Sequence, residues 1–124
     1  VDEDRQKLLD ESRAALLEVG NAFHTLMPGI TANIPLNEED PTGPYLGFMR
    51  INTVWQLVYR DGNGSKPEPL VTKPIRVRLA AMSRIPDLYN KLCLAEETQI
   101  DQLDQAVTNL RAFTASILEG KSKP

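Results

Sequence analysis

A single cysteine, Cys93, means that no disulfide can form within this chain of 124 residues. The fold must rest on packing rather than cross-links, and a lone thiol fits a reducing, cytoplasmic setting. A single histidine, His24, leaves little for zinc, because a structural site would have to draw its remaining ligands from carboxylates. There is no Gly-x-Ser-x-Gly elbow to present a nucleophile to that histidine. No Gly-Lys-Ser/Thr follows a glycine-rich turn, so a phosphate loop is absent as well. No apolar run approaches the ~20 residues of a membrane-spanning helix. No apolar signal core follows the acidic opening Val1-Asp2-Glu3-Asp4. The sequence therefore leads us to expect neither an enzyme nor a holder of metal or cofactor, and a chain that makes no membrane contact.

What is present is ordinary for a globular protein. Hydrophobic residues make up 41% and charged residues 25%, enough for one core and one domain over residues 1–124. Only Gly120 to Pro124 read as a disordered end. The net charge of −3 is unevenly spread. Residues 1–49 carry nine acids and three bases, and residues 92–124 carry five acids and three bases. Residues 50–91 carry eight bases against three acids, so the middle third is where an anionic partner would settle.

Helical periodicity frames the chain. Leu9, Ser12, Leu16, Val19, Phe23 and Leu26 recur at three- and four-residue steps and predict a helix over about 4–27, closed by Pro28-Gly29. Residues 28–44 hold four prolines, two glycines and the acidic run Glu38-Glu39-Asp40, and read as a loop. Residues 45–72 are the β region. Strands are expected over about 45–51 and 54–60 around a weak turn at Asn52-Thr53. A stronger turn at Asp61-Gly62-Asn63-Gly64 leads to a third strand near 68–72, held at a sheet edge by Pro67 and Pro69. Residues 74–119 read as helical with a kink near Pro86, and Gly120 serves as the C-cap. The expected fold is α+β with helix predominant. An N-terminal helix packs antiparallel on a long C-terminal helix, as a helical hairpin with a small antiparallel hairpin or three-stranded meander inserted between them.

Candidate chemistry is sparse. Asp61-Gly62-Asn63-Gly64-Ser65 opens like a calcium loop, but Lys66 stands where that loop needs glycine and Thr72 where it needs a bidentate acid. Glu96, Glu97, Asp101 and Asp104 lack the Glu-x-x-His spacing of helical metal sites and read as a solvated face. Cys93, between Leu92 and Leu94, reads as an inert core thiol. Trp55 and Tyr59 share a strand face with Leu57 and read as packing residues.

One pattern stands out. Positions 100, 103, 107, 110, 114 and 117 alternate three and four like a coiled-coil seam, interrupted at Thr114. We expect a non-enzymatic interaction and assembly module that forms a homodimer through Leu103, Val107, Leu110, Phe113 and Ile117, with a further protein partner possible. One alternative is a nucleic-acid-associated accessory protein using Arg50, Arg60, Lys73, Arg76, Arg78 and Arg84 of the basic segment 50–91. Another is a small-molecule-binding protein with its pocket between sheet and helices, under the 28–44 loop.

Overall fold

The computed structural model describes residues 2–62 and 64–122. The fold is α+β and predominantly helical. In chain order the elements are α1 (Asp2–Leu26), β1 (Ala32–Pro35), β2 (Tyr45–Ile51), β3 (Val54–Arg60), β4 (Glu68–Pro69), a 3₁₀ turn (Leu70–Thr72), α2 (Ile75–Met82) and α3 (Ile85–Ser122). The strands form one antiparallel sheet in the order β1-β2-β3-β4, inserted between the two long helices.

Register decides which side chains meet. Leu46 pairs with Ile34 and Tyr59, and Phe48 with Ala32 and Leu57, so these residues share one face of the sheet. That face is buried against Leu16 and Phe23 of α1, Leu70 of the 3₁₀ turn, Ala81 of α2, and Leu88 and Leu92 of α3. The molecule is thus a two-layer arrangement with its helices on one side of the sheet. Rings hold the layers together: Phe23 sits edge-on to Phe48 at 5.6 Å and lies 5.7 Å from Tyr89 of α3. Gly20 lies where α1 crosses β3, and a β-carbon there would meet the Gln56 backbone at 3.6 Å. The glycine that weakens the helix locally therefore faces the sheet, at ordinary van der Waals distance.

Several boundaries differ from the sequence reading. Residues 28–44 are not all loop, because Ala32–Pro35 pair with β2. Pro35 is tolerated because β1 is an edge strand. The third strand is only two residues long before the chain tightens into the 3₁₀ turn. The break in the second helical region falls at Ser83-Arg84, not at Pro86, which sits in the first turn of α3 where a missing N–H costs nothing. Gly120 does not cap α3, which runs through it to Ser122. Leu26 is exposed, and Met27 takes the core position at the end of α1. Gly29, at φ 79°, makes the left-handed turn that stops that helix. Asn63 of the expected turn and the last two residues of the expected disordered end, 123–124, lie outside the described residues.

The β2–β3 turn carries local strain. Asn52 and Thr53 both have positive φ, at 50° and 70°, as a two-residue type I′ hairpin requires. Asparagine accepts this conformation, whereas β-branched threonine does not. Thr53→Gly is expected to stabilise the fold by about 0.5–1 kcal/mol, since relief of strain exceeds the added freedom of the unfolded chain. Urea denaturation would show this as a raised midpoint at constant slope. A lowered midpoint would mean that the threonine is not strained.

Candidate interaction surface

α3 has 38 residues, which at ~1.5 Å per residue makes it about 57 Å long. A compact domain of this chain length is only roughly 35 Å across. The helix accordingly outruns the domain. Leu88 and Leu92 are completely buried, but every residue from Glu97 to Gly120 is exposed.

The exposed part is not polar all round. Ile100, Leu103, Val107, Leu110, Phe113 and Ile117 stand 38–65% exposed. They continue the line along which α3 meets its own domain. Leu110 follows Leu92 by five turns at ~3.6 residues per turn, and Phe113 follows Ala95 by the same interval. One apolar stripe therefore begins under the sheet and runs out into solvent. The five residues read from the sequence as a self-association seam all lie on it, together with Ile100 and with Thr114 as its polar step.

Among the basic residues of segment 50–91, Lys73, Arg76 and Arg78 line one concavity together with Arg5. Arg50 is exposed at the hairpin end of β2, and Arg76 is exposed on α2. Arg60, at the far end of β3, donates through Nε to the Ser65 carbonyl at 2.7 Å. Lys73 pairs with Glu68 at 2.8 Å beside β4 and lies over the Tyr59 ring. Arg78 donates to the carbonyls of Lys73, Val71 and Leu9 and to the Ser12 hydroxyl, tying α1, α2 and the 3₁₀ turn together. Arg84 bridges Asp87 at 2.6 Å and Glu38 at 3.2 Å and donates to the Pro35 carbonyl, which pins the 37–44 loop to the start of α3. Of the six residues, Lys73 and Arg84 pair with carboxylates and Arg60 and Arg78 donate to backbone carbonyls.

The Lys73 cluster has an alkaline consequence. Burial raises the Tyr59 phenol above its ordinary value, with Asp61 adding to the effect, and the hydrogen bond to Glu68 raises the Lys73 ammonium. Both folded-state values lie above the unfolded ones. The stability they confer is complete below about pH 10 and is lost as pH rises through the folded values. Tyr59→Phe is expected to flatten the fall in melting temperature as pH rises above about 10. A wild-type slope retained in the variant would overturn that assignment.

Other candidates form no constellation. His24 stacks on Trp55 at 5.2 Å, and Trp55 in turn lies 5.7 Å from Phe48 at the margin of the core. Cys93 is half-buried, and its hydrogen bond to Tyr89 is the main cause that raises the Tyr89 phenol. Among the described residues, no group of three or more His, Cys, Asp or Glu side chains is placed to hold a metal ion. No described helix is long and apolar enough to cross a membrane.

The space between sheet and helices is filled by Leu46, Phe48, Leu88 and Leu92. An apolar hollow of about 510 Å³ lies elsewhere, between α1 and α2, where Leu8, Leu9, Ile75, Leu79 and Met82 meet beside Arg5 and Arg78. Sequence reasoning missed it. Its available signal was Leu8 beside the α1 stripe and the four-residue spacing of Ile75 and Leu79. A comparison with family models, curated proteins and solved structures finds no match to this chain.

Proposed function

We propose that this protein is a non-enzymatic assembly module that self-associates through the projecting part of α3. The observation that carries this reading is the bare apolar stripe from Ile100 to Ile117. An apolar row of this length on a helical segment whose described residues are all exposed is a surface awaiting a partner. A buried aliphatic or aromatic side chain contributes about 1.5–3 kcal/mol at ~25 cal/mol per Å², or roughly 100 Å² each. Six such side chains on each of two copies give roughly 1,200 Å², the lower edge of stable protein–protein interfaces. A second copy is the simplest partner, because two-fold homodimers dominate soluble oligomers.

The test is the mass of the native chain by light scattering across micromolar concentrations. A dimer mass that falls on dilution is expected. A monomer mass throughout, with the chain folded, would overturn the reading. The hollow between α1 and α2 supports a second reading, a small-molecule-binding protein. Its size is that of a ligand pocket, and its ligand would be apolar with an acceptor group near Arg5.

A further inference from the structure

We infer that the projecting helices of two copies pair antiparallel, in one register, to make a rod with a domain at each end. This rests on the self-association reading above and adds its geometry. The first argument is steric. Leu88 and Leu92 lie on the same helix line as the exposed stripe and are already covered by the sheet and α1. A parallel partner helix following that line toward the N-terminus of α3 would run into the domain, and so would its own domain. An antiparallel partner meets only the bare stretch.

The second argument is register. The exposed seam from Ile100 to Ile117 has its midpoint between Thr108 and Asn109. An antiparallel pair centred there sets Val107 against Leu110 of the second copy, Leu103 against Thr114, and Ile100 against Ile117. Each seam layer then joins one residue of the 100-107-114 row to one of the 103-110-117 row, as antiparallel knobs-into-holes packing requires. The polar Thr114 is covered by a leucine instead of stacking on its own copy.

The third argument is complementarity beside the seam. Asp104 and Arg111 occupy the same flank of the stripe, and neither has an ion-pair partner among the described residues. In the antiparallel register each faces the other residue of the second copy, twice by symmetry. On the opposite flank Phe113 falls beside Ala106 of the second copy, large against small. A parallel pair would set Asp104 against the uncharged Gln99 and Arg111 against Ala106, leaving both charges unmatched. Charged flanking positions set orientation in helix pairs, and here they favour one.

The rod is tested by disulfide trapping in full-length chains carrying Cys93→Ser. One chain carries Leu103→Cys, and the other carries Thr114→Cys with a size-distinguishing tag. Mild oxidation is carried out where light scattering gives a dimer mass. The expected covalent product contains one chain of each kind and forms only in the mixture. Covalent dimers from Leu103→Cys alone, or no covalent product despite a dimer mass, would overturn the antiparallel register while leaving self-association standing. A monomer mass would overturn both. Independently, Arg111→Asp is expected to weaken the dimer roughly tenfold, and adding Asp104→Arg is expected to restore it. Equal dissociation constants for wild type, single and double variants would count against the register.

Discussion

Phe48→Ala will cost about 3–5 kcal/mol of stability, the range for deleting a large buried ring. The ring is 1% exposed at the middle of β2, edge-on to Phe23 and tilted against Trp55. It also fills the space beside Gly20 where α1 crosses the sheet. Its loss leaves a cavity between α1 and the sheet, beside Phe23 and Trp55. A small domain is stabilised by only about 5–15 kcal/mol, so this single change removes a large share. Urea unfolding should show a lowered midpoint with an unchanged slope. A loss below about 1 kcal/mol would mean that the two layers meet elsewhere. Phe113, an equally large ring, provides the contrast. It is 62% exposed and touches no core residue, so its truncation should leave the stability of the domain itself unchanged.

That contrast shows what was legible in the sequence. Helical periodicity reports an apolar line and says nothing about what covers it. Leu92 and Leu110 lie on one line of one helix, and only the structure separates the buried from the bare. The long helices and the β2–β3 hairpin were legible because their patterns are local. β1 was not, since four residues ending in Pro35 become a strand only by pairing with β2. The environment of each base in the basic segment was not legible, for a related reason. Formal charge can be counted along the chain, but Arg78 and Arg84 spend theirs on backbone carbonyls and acids brought near by folding. The hollow between α1 and α2 joins residues nearly seventy positions apart, such as Leu9 and Ile75, and no local pattern announces it.

Leu103→Asp combined with Leu110→Asp is expected to dissociate the proposed dimer without unfolding the domain. Both residues lie on the part of α3 that contributes nothing to the core. In the dimer, however, four leucines leave the seam and four carboxylates enter it. At about 2 kcal/mol for each lost leucine, the dissociation constant should rise by on the order of 10⁶, before any charge repulsion is counted. Repulsion adds in the same direction, because a carboxylate buried without a partner is strongly unfavourable. Light scattering should therefore report a monomer at concentrations where the wild type is dimeric. Helix content should fall as well. A projecting helix with neither core contacts nor a partner has only its intrinsic propensity to hold it, and such segments are marginal in water. The loss of ellipticity should be confined to this segment, while the cooperative unfolding of the domain keeps its midpoint at protein concentrations low enough for the wild type to be monomeric. A variant that unfolds altogether would show that the projecting helix is needed for the domain to fold. One that remains dimeric would show that the copies meet through another face, and the α1–α2 hollow with Leu8, Ile75 and Leu79 would then be the surface to substitute next.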